Sequence, residues 1–164
     1  MDELQELREY VIAGRTSEAL NLIDELDAMS RHSTITNLVS FLVLAFVHLI
    51  KMDVEKRLTR SWQTSIRNAL LEIKDRNQMS KKAAYYLYQD DWSEYFDVAL
   101  VKAISQASTE VFGGKYKASE LRHLVNRERI IHIATRLLAL TYTLRLEELA
   151  DSIDTLLEQE QHVE

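Results

Sequence analysis

Apolar side chains recur at helical spacing along most of this chain, and one stretch departs from that rhythm by being apolar on every side. Leu4, Leu7 and Val11 repeat at helical intervals, and Gly14 stands where a helix can end in a left-handed conformation. Thr16 or Ser17 is suited to cap the next helix. Its apolar stripe is Leu20 (or Ala19), Ile23, Leu26 and Met29 (or Ser30), so the two elements read as an amphipathic hairpin. From Leu38 to Ile50 thirteen residues run with only Ser40 and His48 interrupting the apolar side chains. Such a run predicts a helix buried all round, capped at Ser33 or Thr34 and continuing to about Lys56.

Past that run the helical spacing returns. Thr59 restarts a helix with Trp62, Ile66, Ala69, Leu70 and Ile73 on one face. The polar stretch from Lys74 to Lys82 predicts a connection, with Ser80 as the next cap. Asp91-Trp92-Ser93-Glu94 has the spacing of a capping box. The helix it opens presents Phe96, Leu100, Ala103, Ala107 and Val111, and stops at Gly113-Gly114. A short helix follows around Leu121 to Val125. Asn126 then caps another with Ile130, Ile133, Ala134, Leu137, Leu138 and Thr141 inward. The last begins near Leu144 and carries Leu146, Leu149, Ile153, Leu156 and Leu157 on one side. The pattern predicts an all-α fold: a single-domain helical bundle of about seven to nine helices over residues 1–164, with a buried central apolar helix and a C-terminal helical extension at 118–160.

Composition agrees with that reading and removes several chemistries. Proline and cysteine are absent and glycine occurs only three times, so hairpins and corners of a strand-based fold lack their usual residues. Without cysteine there is no disulfide framework, no iron–sulfur cluster and no thiolate zinc site, as suits a reducing cytoplasm. Met1-Asp2-Glu3-Leu4 lacks the basic-then-apolar pattern of a secretory signal, so a cytoplasmic location is expected. Ile35 to Met52 approaches the length of a membrane span. It contains Thr36, Asn37, Ser40 and His48, and no second segment of that kind exists to pack with it, so a core helix is the better explanation and no membrane partner is expected.

Charge is unevenly spread. Residues 1–50 carry 8 acids and 3 bases, residues 51–82 carry 4 and 9, and residues 83–164 carry 14 and 8. The basic middle can meet an anionic partner or the acidic ends of its own chain. With a sequence pI near 5.4, nucleic acid is not the expected ligand.

The densest polar cluster follows the apolar run directly. On a continuous helix His48, Lys51 and Glu55 fall close to one face, with Arg57, Arg60, Ser61 and Trp62 just beyond. A histidine, an acid and several cations around a tryptophan form a candidate site for anion binding or acid–base chemistry. The competing reading is a structural network in which Glu55 pairs with Arg57, Arg60 or Arg67, because buried charges need partners whether or not anything reacts.

A second concentration is aromatic: Tyr85, Tyr86, Tyr88, Trp92, Tyr95 and Phe96, accompanied by Asp90, Asp91 and Glu94. Acidic company repels phosphate, so Tyr85, Tyr86, Tyr88 and Trp92 read as a protein-interaction surface, or as packing between helices. Leu149 and Ile153 belong to a stripe that can line a helix–helix seam within one chain or between two, so a second copy joins other proteins as an expected partner. No metal or other cofactor is expected. Glu128 and His132 stand four apart rather than in the Glu-x-x-His spacing of di-iron bundles, and Glu6, Glu9, Asp24 and Asp27 only approximate a magnesium-binding set. His32, His123 and His162 lie in polar stretches without evident partners.

The ordered set Leu22-Ile23-Asp24-Glu25-Leu26, Met29-Ser30, His48-Leu49-Ile50-Lys51, Glu55-Lys56-Arg57 and Arg60-Ser61-Trp62 with Ile66-Arg67 resembles the bacterial domain of unknown function 29, best over residues 20–75. Ala107-Ser108 with Val111-Phe112-Gly113, and Val125-Asn126-Arg127-Glu128, resemble its longer members. Many shorter members carry a glutamine–proline turn before the basic cluster, where this chain has Asp53-Val54. The resemblance implies a helical fold and brings no activity with it. The sequence therefore leads to a non-catalytic protein-interaction or structural module, against the alternative of a small hydrolase or anion-binding enzyme centred on the polar cluster.

Overall fold

The computed structural model describes residues 2–161, which leaves His162 outside the described residues. Seven α-helices follow in order among them: α1 (Glu3–Ile12), α2 (Thr16–Glu55), α3 (Arg60–Asn77), α4 (Phe96–Ser108), α5 (Ala118–Leu124), α6 (Arg127–Thr143) and α7 (Leu146–Gln161). Two 3-10 turns, Gln89–Tyr95 and Val111–Gly113, complete the set, and the described residues contain no strand. The fold is all-α, as the spacing predicts.

The chain divides into two compact units, Met1–Thr36 and Asn37–Glu164. The first holds α1 and the start of α2. Asp2 Oδ1 accepts from Gln5 N–H at 2.8 Å and caps α1. Gly14, at φ +70, closes that helix: Gly14 N–H donates to Val11 C=O and Arg15 N–H to Tyr10 C=O. That pair of bonds is a Schellman ending, and glycine carries no side chain to oppose it. Among the described residues of this unit, Ala19 and Leu22 are the ones buried. Ala19, the alternative to Leu20 on the inward stripe, is buried, whereas Ile23 and Met29, expected there, are exposed, as are Leu20, Leu4, Val11 and Ile12.

The predicted break at Ser33 or Thr34 does not occur, and α2 runs unbroken from Thr16 to Glu55. Ser30-Arg31-His32-Ser33 contains neither glycine nor proline, and all four residues face solvent, so nothing stops the helix there.

In the second unit the apolar half of α2 lies in the core beside α3 and α6. Leu42, Ala45 and Leu49 close with Leu70, Ile73, Ala134, Leu137 and Leu138 around a gap of only about 10 Å³. Phe46 meets Phe96 at the start of α4, ring centroids 5.8 Å apart. The helix is not buried all round: Ser40 and Leu44 are exposed and Phe41 and His48 half-buried, which leaves one narrow strip open. By length and composition α2 could also cross a membrane, and half of its most apolar window is buried inside the fold. Lys56, with φ +56, ends it, and Thr59 Oγ1 accepts from Trp62 N–H to start α3.

Three further local expectations change. Ser80 caps no helix, because residues 78–88 form an irregular connection closed by one antiparallel bridge, Gln78 to Tyr85. Buried Asn77 organises it, accepting from Leu87 N–H and donating to Leu87 C=O, each at 2.8 Å. Asp91 is not an N-cap: its carboxylate accepts from Tyr88 N–H, inside the turn that precedes α4. Leu146, at the first position of α7, is exposed, whereas Leu149, Ile153, Leu156 and Leu157 are buried where α7 packs against α3 and α6.

Candidate functional site

The last turns of α2 send side chains in two directions. Lys51 and Glu55, one turn apart, face one way; Met52, Asp53 and Lys56 face the other. The sequence singled out the first side and missed the second.

On the first side, Lys51 Nζ lies 3.0 Å from Glu110 Oε2 and 5.9 Å from the centroid of the Trp62 ring. Glu55 Oε1 accepts from Arg57 Nη2 at 3.0 Å and Nε at 3.2 Å, and Oε2 faces Phe112 N–H at 3.4 Å. The Arg57 guanidinium in turn stacks on Trp62 at 4.8 Å. The cluster thus brings together Lys51, Glu55, Arg57 and Trp62, and adds Glu110 and the backbone of Phe112, which the sequence did not indicate. Arg60 and Ser61, expected in the same group, are exposed on the first turn of α3 and bond to none of these side chains. Phe112 sits in a left-handed conformation at φ 47, rare for an aromatic residue, with Gly113 and Gly114 following at positive φ. Gly114 is fixed by space as well, because a Cβ there would come within 2.9 Å of Thr109 C=O.

His48 is half-buried, and its Nδ1 is sealed from solvent with no hydrogen-bond partner. Burial holds the imidazole below its ordinary value; the Lys51 ammonium adds to that and the Glu110 carboxylate opposes it. The fold therefore favours the neutral ring, and on acidification the unfolded chain takes up the proton first. The stability contributed is full above the ordinary histidine value of 6.5 and is lost as pH falls through the lower native value. Urea midpoints measured from about pH 7.5 down to about pH 5 should fall more steeply for the wild type than for His48→Gln. Parallel curves would show that the ring protonates in place without cost.

On the second side, Asp53 is buried with its side chain 3% exposed. One carboxylate oxygen accepts from Asn126 N–H at 3.0 Å, the other from Arg129 Nη1 at 3.2 Å. Arg129 Nη2 continues to the Glu160 backbone carbonyl at 2.6 Å, and the Glu160 carboxylate accepts from Arg136. The network ties the end of α2 to the start of α6, where Asn126 Oδ1 caps Arg129 N–H, and to the end of α7. Beside it opens a pocket of about 800 Å³ lined by Met52, Lys56, Asn126, His132 and Gln161 as well as the network itself. The signal for Asp53 was in the sequence: with Leu42, Phe46 and Leu49 it continues the buried stripe of α2, and an acid on an apolar stripe needs a buried partner.

Each oxygen of both carboxylates meets at least one donor from the chain itself. Asp53 also lines the pocket, while Glu55 Oε1 is bound to Arg57 and its Oε2 faces Phe112 N–H. Among the described residues no group of three His, Asp or Glu side chains is placed to hold a metal ion.

Of the four aromatics proposed as a surface, Trp92 alone is buried. Trp92 is 1% exposed, and its Nε1–H donates to Tyr142 Oη at 2.7 Å, while Tyr142 donates to Leu87 C=O. Tyr85 packs edge-on against both Tyr88 and Tyr142. Of the other three, Tyr88 is exposed and Tyr85 and Tyr86 half-buried. Leu149 and Ile153, proposed with them, are fully buried within the chain. Six aromatics in twelve residues mark a place where an irregular connection is anchored to the helices.

Comparison with known proteins finds the Domain of unknown function DUF29 over residues 4–130. That stretch takes in both sides of the α2 terminus and ends inside α6, before Arg136 and Glu160. No curated protein and no solved structure matches the chain.

Proposed function

We propose that this chain, which belongs to the Domain of unknown function DUF29 family, is a non-catalytic helical module that acts by binding another protein, in a cytoplasmic setting. One observation carries the reading: residues 2–36 leave Leu4, Val11, Ile12, Leu20, Ile23 and Met29 exposed on two adjoining helices. Single exposed apolar residues are ordinary, but a concentration of large ones on one short hairpin is what interaction surfaces present. The pairing of Glu55 with Arg57 and of Lys51 with Glu110 supports the same reading, since that cluster places its charges on its own partners.

A photo-reactive residue placed at Val11 or Ile23 in cells making the chain should give a discrete heavier adduct, and the same residue at exposed Lys102 on α4 should not. Absence of an adduct at both hairpin positions counts against the reading. The pocket beside Asp53 favours a second reading, binding of a small anion by Lys56, Arg129 and His132. Inorganic phosphate titrated against the full chain should then shift the His132 ring signals saturably with a Kd below about 1 mM.

A further inference from the structure

The hairpin formed by α1 and the start of α2 combines two properties. Its apolar arcs are only partly covered: Ala19 and Leu22 are buried and Leu7 and Leu26 half-buried, while Leu4, Val11 and Ile12 on α1 and Leu20 and Ile23 on α2 stay open. Its polar faces are strongly acidic, with eight acids against Arg8, Arg15 and Arg31 over residues 2–36, a net charge of −5. Few of these acids are engaged. Asp2 caps α1, Glu6 accepts from Tyr10 Oη, and Glu18 meets Arg15, which also stacks on Tyr10. Glu3, Glu9, Asp24, Glu25 and Asp27 form no ion pair among the described residues.

We propose that this hairpin is the docking element of the module and that its partner is an amphipathic helix whose apolar stripe is flanked by lysine or arginine. The inference rests on the reading of the chain as a protein-binding module and specifies the partner's chemistry. An apolar arc on a helix pair is filled by the apolar face of another helix, read at three- and four-residue spacing. The acidic rim then selects among such helices, because basic flanks gain and acidic flanks are repelled. The same rim disfavours a second copy's hairpin, since two surfaces of net charge −5 would have to meet face to face.

The test uses the full chain and two synthetic helical peptides of about 18 residues with the same leucine stripe, one flanked by lysine and the other by glutamate. Fluorescence anisotropy should show the lysine peptide binding with a Kd in the micromolar range, weakened about tenfold between roughly 50 and 300 mM salt, while the glutamate peptide fails to bind. The double variant Leu20→Ser, Ile23→Ser should weaken binding about tenfold with an unchanged urea midpoint. Equal binding by wild type and variant, or no preference between peptides, overturns the proposal. So does a lowered urea midpoint, which would show the arc covered by its own chain, or a dimer that the double variant dissociates. If photo-crosslinking at Ile23 succeeds while the lysine peptide fails, the partner chemistry is wrong and the module reading stands. If both fail, both fall.

Discussion

Replacing Asp53 with alanine is expected to lower stability by about 3 kcal/mol, read as a reduced urea midpoint at unchanged slope. Its carboxylate is 3% exposed and each oxygen has a donor, Arg129 on one side and Asn126 N–H on the other. Truncation removes both acceptors at once. Arg129 keeps the Glu160 carbonyl, but its charge is left without a counter-ion, and Asn126 N–H loses its acceptor just ahead of α6. Arg129 is 21% exposed, so water compensates part of the loss, which places the expectation at the lower end of the range for broken buried pairs. Glu55→Ala is the internal comparison. Its partner Arg57 is 58% exposed, and a loss of about 1 kcal/mol is expected there. If both variants fall within about 0.5 kcal/mol of wild type, the α2 terminus is not held by these charges.

The contrast between those two acids also shows what was legible in the sequence. Glu55 stands in a conspicuous run of charges, so a pairing with Arg57, two residues on, could be expected. Asp53 is less conspicuous, and its partners lie at Asn126 and Arg129, more than seventy residues away. Helical periodicity places residues on faces, and it predicted the inward sets of α3, α4 and α6 because each has one clear apolar stripe. It does not say which stripe meets which, so the network joining α2, α6 and α7 and the pocket beside it stayed out of reach.

Two other differences have the same root. The aromatic run left two readings open, a protein-interaction surface and packing between helices. Here Trp92 and Asn77 converge on the Tyr142 hydroxyl, which donates to Leu87 C=O, so the ring edges serve to hold a loop. Conversely the first hairpin has an amphipathic pattern in which Ala19 and Leu22 are buried but Leu20, Ile23 and Met29 stay exposed. Amphipathicity states that a face prefers to be covered and is silent about whether its own chain covers it.

That distinction gives the second large expected effect. Leu149→Lys and Ile153→Lys, made singly, should each cost about 4 kcal/mol or more and bring the fold to the edge of its stability. Both side chains are fully buried where α7 meets α3 and α6, so an ammonium there loses its water and leaves no room for a counter-ion. The expected readout is loss of helical circular dichroism at a much lower temperature, with unfolding preceding any change in oligomeric mass. Ile23→Lys carries the same chemical change onto the hairpin, where the side chain is 45% exposed, and should shift stability by no more than about 0.5 kcal/mol. If Leu149→Lys and Ile153→Lys instead kept full helicity and converted a dimer to a monomer, the α7 stripe would be an interface between chains. The hairpin would then lose its standing as the binding surface.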